Sequence, residues 1–383
     1  MPRPTIVFLI NSITGGGAER VMTRLIAYSA DRRDRYDLHL VLLDVEDDAY
    51  PVPEWLTVHR LDSRKRLVPS VVNLVGVLRR LKPALVVSFL TRSNIANVMA
   101  AGLLGHGTVI SERANTSSHH DHSVSGRVSR WLIRRTYSRA GAVIAVSGGI
   151  GTDLVENFGV DRARVEVIAN PVDGAAVRAM GDRPVQAAYP APYVVGMGRL
   201  VRTKNFALLI EAFAASSLID HNLVIAGQGP LEQELRTLAQ QKGVADRTHF
   251  AGFLENPFPV IRQADLYVLP SNGEGFPNGL VEAMVLGTPV ISTDCRSGPS
   301  EILDDRPEMQ TTSVHVARHG ILVPVEDREA MTEALNLAAQ PETRARLAGA
   351  AAAGAERYGL ETAVARYWDA FERVLGSGTA GRA

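Results

Sequence analysis

Ala187-Ala188-Tyr189-Pro190-Ala191-Pro192 (AAYPAP) divides the chain. Before this proline-broken stretch, short β-branched runs alternate with amphipathic ones. Directly after it, at Tyr193–Gly198 (YVVGMG), the alternation starts again. Strand candidates on the N-terminal side are Thr5–Asn11, Asp37–Leu43, Ala84–Phe89, Thr108–Ser111, Ala142–Val146 and Val165–Ala169. On the C-terminal side they are Tyr193–Gly198, Asn222–Ala226, His249–Phe253, Leu266–Pro270, Pro289–Thr293 and Ile321–Pro324. Several are apolar from end to end, as parallel strands covered on both faces are. Between them lie helix candidates such as Ala18–Ala30, Pro69–Leu81, Asn205–Ala215, Leu231–Lys242 and Gly279–Leu286. Two βα series predict an α/β chain of two doubly wound parallel-sheet domains, 1–186 and 193–360, joined by a linker at 187–192. Thr362–Leu375 reads as one more amphipathic helix, placed at 361–376 and expected to pack back on the N-terminal domain. The segment from Gly376 onward is expected to fray.

The composition narrows the function. With 383 residues the chain can bury two full cores. Apolar residues make up 46% and charged residues 21%, the profile of a globular protein. The 41 basic and 41 acidic residues cancel, which excludes nucleic-acid binding driven by bulk charge. The single cysteine, Cys295, rules out an intrachain disulfide and a cysteine zinc cluster, fits a reducing compartment and reads as buried packing. No apolar run approaches the roughly 20 residues of a membrane span. Ile6–Ile10 is too short for a signal-peptide core and reads as a first strand, so the expected location is the cytosol.

Three motifs carry chemistry. Gly15-Gly16-Gly17-Ala18-Glu19-Arg20 follows the first strand and opens a helix, where backbone amides and the helix end can meet an anion. A tight turn without a ligand fits it equally; it is neither a GxGxxG fingerprint nor a Walker loop. Gly198-Arg199-Leu200, followed by Lys204-Asn205, places two cations five residues apart beyond the first strand of the second domain. Both can reach one anion in the crevice at the strand ends, although loop cations are usually just solvated. The chain has only four lysines among its 41 basic residues, which singles out Lys204. Glu274-Gly275-Phe276-Pro277-Asn278-Gly279-Leu280-Val281-Glu282-Ala283 puts Glu274 in a loop and Glu282 in the first turns of a helix, a favoured place for a carboxylate. Such carboxylates accept hydrogen bonds from sugar hydroxyls; taken singly, one also reads as a solvated loop acid and the other as a capping charge.

With these residues in place, the chain resembles the retaining glycosyltransferases of family 4, whose GT-B fold has two Rossmann-like domains facing across a cleft. The resemblance covers nearly the whole chain. In the second domain it rests on GRLVRTKN, IAGQGPLEQEL, FAGF, EGFPNGLVEAM and GTPVISTDCRSGPSEIL, in the family's order. In the first it rests on GGGAER and on VSGGIGTDL with VIANPVD. It implies that Gly15, Gly16 and Gly17 lie over a donor diphosphate and that Arg199 and Lys204 bind that diphosphate as it leaves. Glu282 would hold the ribose. Glu274, with the backbone around Phe276, Pro277, Asn278, Gly279 and Leu280, would hold the transferred sugar. Phe253 and Leu254 would border the base, and Gly227 and Gly229 would allow close packing below the nucleotide. Two fixed cations on the leaving group can supply the electrostatic stabilisation without a metal. No metal site and no cofactor is expected beyond the nucleotide-diphospho-sugar co-substrate. Asp47-Asp48 and Asp304-Asp305 read as surface loops, not a metal-binding DxD.

In one place the chain departs from the family. Where many members carry a histidine near the donor sugar, it reads Ser111-Glu112-Arg113-Ala114-Asn115. This is similar to a subgroup of bacterial enzymes that extend lipid-linked glycans. His119, His120 and His122 follow in what reads as a solvated loop. No acidic residue lies between Asp121 and Asp153, and Ser125–Arg139 carries five arginines. As a helix it sets Val124, Val128, Trp131 and Leu132 on one face and Arg127, Arg130 and Arg134 on another. That pattern fits docking on an anionic membrane, or an ordinary surface helix whose apolar face meets the core. Arg64, Lys65 and Arg66 extend the basic patch.

The expected activity is retaining transfer of a hexose or N-acetylhexosamine from a nucleotide-diphospho-sugar, UDP favoured over GDP. The expected acceptor is a polyprenyl-diphosphate-linked saccharide of surface polysaccharide or glycan biosynthesis, reached from the cytoplasmic face of the cell membrane, with no nucleic-acid partner. The alternative is a catalytically silent GT-B protein that binds nucleotide or glycan and scaffolds a biosynthetic complex.

Overall fold

The computed structural model describes residues 3–114, 124–185, 188–307 and 310–380. The chain forms two compact units: Met1–Pro171 with Leu360–Ala383, and Val172–Gly359.

In chain order the first unit runs β1 Thr5–Ile10, α1 Gly17–Ala27, β2 Asp37–Leu42, β3 Thr57–Arg60, α2 Leu67–Leu81, β4 Leu85–Phe89, α3 Thr91–Leu104, β5 Gly107–Glu112, α4 Val124–Tyr137, β6 Ala142–Ala145, α5 Gly148–Phe158 and β7 Val165–Val167. The seven strands make one sheet in the order β3-β2-β1-β4-β5-β6-β7, parallel throughout. Order reverses between β1 and β4, the switch point at which such sheets bind ligands. Central strands such as β1 (TIVFLI) are buried on both faces, which explains their unbroken apolar sequence. The edge strand β3 (TVHR) is half exposed and half polar, so its sequence did not stand out as a strand.

The second unit repeats the plan. It contains α6 Gly174–Gly181, β8 Tyr193–Met197, α7 Phe206–Ala215, β9 Asn222–Ala226, α8 Glu232–Gln241, β10 Thr248–Gly252, α9 Phe258–Gln263, β11 Leu266–Leu269, α10 Asn278–Val285, β12 Val290–Thr293, α11 Pro299–Asp304, β13 His315–Val316, β14 Ile321–Val323, α12 Arg328–Ala339 and α13 Pro341–Ala355. Its sheet order is β10-β9-β8-β11-β12-β14-β13, and only the two-residue edge strand β13 is antiparallel. Here the switch point lies between β8 and β11.

The unit boundary falls at 171/172, earlier than the expected linker at 187–192. Asp173 caps α6 by accepting from the Ala176 amide at 2.9 Å. The helix then packs on α9 and α10: the Asn256 amide nitrogen donates to the Met180 carbonyl at 2.9 Å. The two prolines are held at the second sheet: the Pro190 carbonyl accepts from Asn222 Nδ2 at 3.0 Å and the Pro192 carbonyl from the Asn222 amide at 2.9 Å. Proline breaks the local pattern, but these tertiary contacts tie α6 and the Pro190–Pro192 stretch to the second unit.

The last helix, α14 Leu360–Ala380, belongs to the first unit and stays helical past Leu375, where fraying was expected. Its Tyr367, Trp368 and Phe371 fill a core with Phe8, Met22 and Leu40, and Trp368 Nε1 donates to Ser29 Oγ at 2.8 Å. Each such aromatic removes about 150–250 Å² from water, which anchors the helix by about 2–3 kcal/mol per ring.

Candidate active site

Strands β8 and β11 are neighbours in parallel register, Leu266 opposite Val194 and Tyr267 opposite Val195. Whatever follows each strand must therefore meet its counterpart. After β8 comes the turn Arg202–Lys204, which ends at Asn205 in left-handed conformation (φ 45°, ψ 46°). The Asn205 side chain caps α7 by accepting from the Leu208 amide. After β11 comes the loop carrying Glu274. Lys204 Nζ donates to Glu274 Oε1 at 2.5 Å. The two side chains are 27% and 10% exposed, so this ion pair is largely shielded from water. The Arg199 guanidinium, on the same β8 loop, is exposed and has no hydrogen bond or ion pair among the described residues.

Glu282 is buried in α10. Against the start of the same helix stands Tyr267 of β11, whose hydroxyl is buried without a hydrogen bond among the described residues. That hydroxyl lies 2.7 Å from the position a Cβ on Gly279 would take. Burial pushes its pKa well up, and the charges of Glu282 and Glu274 push the same way. The Tyr267 hydroxyl thus stands beside the first turn of α10, at Gly279. Cys295 is buried as expected; burial pushes its thiol up, and Glu274 adds to this while Lys204 opposes it.

The other expected donor contacts divide by what they present. Phe276 is buried with its ring edge-on to Tyr358 at 5.2 Å, and Leu280 is fully buried. The Leu280 amide closes the first turn of α10 on the Pro277 carbonyl at 3.1 Å, so Leu280 faces the core with both side chain and amide engaged. Pro277 has no amide hydrogen. The Phe276 and Gly279 amides make no hydrogen bond among the described residues. Asn278 is half-buried, as is Leu254, while the Phe253 ring is 74% exposed beyond β10. Gly227 (φ +139°) and Gly229 lie against the β8 loop: a Cβ there would come within 1.9 Å of the Gly198 oxygen and 2.4 Å of the Leu200 oxygen.

In the first unit Gly15–Gly17 leads from β1 into α1, with Gly16 as the cap residue. Glu19 folds back over this loop, its Oε2 2.2 Å from where a Cβ on Gly16 would stand. The place read as an anion site therefore already faces a carboxylate. The physical reason is that an acid three residues into a helix is drawn to the helix's positive end. In the Ser111–Ala114 turn, Glu112 is buried and takes the Tyr137 hydroxyl at 2.6 Å and the Arg113 amide at 3.0 Å. Arg113 stacks over Phe89 and donates to Tyr367 Oη at 2.9 Å and Asn170 Oδ1 at 2.6 Å. Both side chains serve the packing of their own unit. Asn115, His119, His120 and His122 lie outside the described residues.

On α4 the faces differ from the expected ones. Ile133, Thr136 and Tyr137 form the buried stripe. Val128 (53% exposed) and Trp131 (57%) point outward with Arg127 and Arg135, and the Arg135 guanidinium stands over the Trp131 ring. Arg130 and Arg134 lie over the Phe158 ring, and Arg134 Nε donates to the Asn157 carbonyl at 2.8 Å. Cations at the C-terminal end of α5 complement its dipole, which accounts for that choice. The side chains of Val124 and Ser125 lie outside the described residues. Lys65 pairs with Glu46 at 2.6 Å. Asp304, expected in a surface loop, is buried and accepts from the Arg318 amide and His315. Among the described residues no helix is long and apolar enough to cross a membrane.

The model for Glycosyltransferase Family 4 matches residues 15–175, and that for glycosyl transferases group 1 matches residues 183–353. The chain belongs to the family 4 glycosyltransferases. The N-acetylgalactosamine-N,N'-diacetylbacillosaminyl-diphospho-undecaprenol 4-alpha-N-acetylgalactosaminyltransferase of Campylobacter jejuni is 28% identical over 340 residues, 85% of this chain and 87% of that one. The lipopolysaccharide core biosynthesis glycosyltransferase LpsE of Rhizobium meliloti is 30% identical over 224 residues, 58% of this chain and 61% of its own. Anabaena HepE, crystallised with UDP, superposes with a TM-score of 0.76 over 96% of this chain and 100% of its own at 20% identity, which shows the GT-B fold. In this glycosyltransferase the group 1 span encloses Arg199, Lys204, Glu274 and Glu282, and the family 4 span encloses the glycine loop and α4. Sequence reasoning missed Tyr267 and Asn272, the latter described below. Neither carries a local signal, because each matters through a neighbour brought up by strand pairing.

Proposed function

We propose that this glycosyltransferase is a retaining enzyme that moves a hexose or N-acetylhexosamine from a UDP-sugar to a polyprenyl-diphosphate-linked saccharide. The observation that carries the reading is the Lys204–Glu274 pair at 2.5 Å, set at the carboxyl ends of β8 and β11. In the reaction the bond from the sugar's anomeric carbon to the diphosphate oxygen breaks. The acceptor hydroxyl oxygen bonds to that carbon on the same face, and its proton passes to the departing diphosphate. Arg199 and Lys204 take up the negative charge that develops, so the step proceeds without a metal. Glu274 and the free amides of Phe276 and Gly279 hold the sugar, Glu282 the ribose, and Phe253 with Leu254 the base. The lipid-diphosphate acceptor is supported by the names of relatives: the Campylobacter protein is called a transferase to a diphospho-undecaprenol saccharide.

A thermal-shift panel of UDP, GDP and ADP with their sugar conjugates, run in EDTA, tests the donor. A ligand at a hundred times its Kd stabilises the fold by about 2.7 kcal/mol. UDP and one UDP-sugar are expected to raise Tm, and Arg199→Ala with Lys204→Ala to abolish the rise. A folded sample that responds to no nucleotide sinks the donor reading and returns the scaffold alternative.

The acceptor's lipid places the enzyme on an anionic membrane surface, and α4 is the proposed contact. Val128 and Trp131 supply the apolar part and Arg127 and Arg135 the charge; basic side chains near such a surface contribute about 1 kcal/mol each. Arg127→Ser with Trp131→Ser should cut binding to phosphatidylglycerol vesicles at least about tenfold with Tm unchanged, read by co-sedimentation. Equal sedimentation of wild type with neutral and anionic vesicles would overturn this contact.

A further inference from the structure

Asn272 joins the Lys204 loop and the Glu274 loop of the donor-site reading to a third loop, the one that carries Glu326. Its backbone amide donates to the Thr203 carbonyl at 2.8 Å. Its Oδ1 accepts from Asn205 Nδ2 at 2.9 Å, and its Nδ2 donates to Glu326 Oε1 at 2.9 Å. Asn205 directly follows Lys204, and Glu274 lies two residues beyond Asn272. On the strand side the same loop is held by Thr293 of β12, whose hydroxyl donates to the Ser271 carbonyl at 2.5 Å. The two loops also touch: a Cβ placed on Gly273 would lie 3.7 Å from Thr203 Cγ2.

The chain of bonds has a direction. Glu326 can only accept, so the Asn272 amide nitrogen must turn toward it. That leaves the Asn272 oxygen for the Asn205 nitrogen, and the Asn205 oxygen for the Leu208 amide at the start of α7. One carboxylate thus sets the orientation of both asparagines. Asn205 is held left-handed (φ 45°), a conformation that asparagine tolerates because its short amide can bond locally.

We propose that the Glu326–Asn272–Asn205 bracket is a positioning device that holds the Lys204 and Glu274 loops at the separation donor binding needs. None of the three need touch donor; they act by placing the Lys204 ammonium, whose position the pair with Glu274 reports. The proposal rests on the donor reading above, so its test has one arm that needs no ligand. The chain has four lysines, Lys65, Lys82, Lys204 and Lys242, so reductive 13C-methylation gives few resonances, and Lys204→Arg identifies the one in question.

Glu274→Gln should move the Lys204 resonance toward those of the exposed lysines. Asn272→Ala and Glu326→Ala should move it the same way with Tm within a few degrees of wild type, and Glu326→Gln, which keeps an acceptor, should restore it. A Lys204 resonance that moves in Glu274→Gln but stays put in both alanine variants overturns the proposal, whatever the enzyme binds. The second arm is UDP affinity by calorimetry. Asn272→Ala should weaken UDP about tenfold in wild type and less than about twofold in a Lys204→Ala background, because coupled residues are non-additive. Equal losses in both backgrounds make Asn272 an independent contributor and reject the bracket. Absence of UDP binding in wild type counts against the donor reading alone, leaving the resonance to decide the bracket.

Discussion

Replacing Glu274 with Gln is expected to lower sugar transfer about a thousandfold while UDP binds as tightly as before or more tightly. Lys204→Ala is expected to lower both. The opposite effects on UDP follow from the geometry. Lys204 Nζ and Glu274 Oε1 neutralise each other at 2.5 Å in a site largely closed to water. Removing the carboxylate leaves the ammonium in place with one fewer counter-charge, and a diphosphate is a good replacement. Removing the ammonium leaves a shielded carboxylate facing the incoming phosphates, which repels them. Transfer suffers in both cases: one variant loses a group proposed to hold the sugar, the other a cation on the leaving group. Loss of a single preorganised electrostatic partner typically costs 10²–10³-fold. Initial rates with a UDP-sugar, together with UDP calorimetry, separate the two variants. Transfer that survives Glu274→Gln at wild-type rate rejects its catalytic assignment. UDP affinity that falls equally in both variants rejects the charge argument.

Gly227→Ala is expected to have the largest effect on stability. The residue sits at φ +139°, where L side chains rarely go, and its Cβ would lie 1.9 Å from the Gly198 carbonyl oxygen. Backbone strain contributes about 1–3 kcal/mol, and overpacking against a main chain that is itself sheet-bonded about as much again. Gly198 cannot yield easily, since its amide donates to the Ala226 carbonyl at 2.9 Å. A total of about 2–6 kcal/mol should lower the melting temperature of the second unit by about 5–20 °C. Gly243→Ala is the matched control. It shares a positive φ (+71°), but nothing lies within 4 Å of its Cβ, so only the conformational part, about 1 kcal/mol, remains. Similar melting temperatures for the two variants would show that close approach at Gly227 is not what requires glycine there.

These two cases show where the sequence is readable. The run TIVFLI announces a central parallel strand because both faces are covered and no polar position interrupts it. Two such series, separated by AAYPAP, are enough for two doubly wound sheets. Lys204 stood out because lysine is rare in this chain, and Glu274 and Glu282 because of the glycine- and proline-rich loop between strand and helix. The edge strands β3 and β13 were silent, since an edge is half solvated and short and has little apolar pattern to show. On α4 the spacing announced an amphipathic helix, yet which stripe is buried depends on α5. Phe158 and the Asn157 carbonyl draw Arg130 and Arg134 down, and Trp131 is left outside.

By itself the sequence determined the local periods, the turn glycines and the chemistry available at each strand end, because these depend on neighbours a few residues away. Only the tertiary structure decided that Lys204 meets Glu274 seventy residues on, that Asn272 orders both loops, that the second unit starts at Val172, and that Trp368 returns to the first. Each of these is a contact between segments distant in the chain. It arises from strand order and from the burial of apolar surface, and no local spacing encodes either.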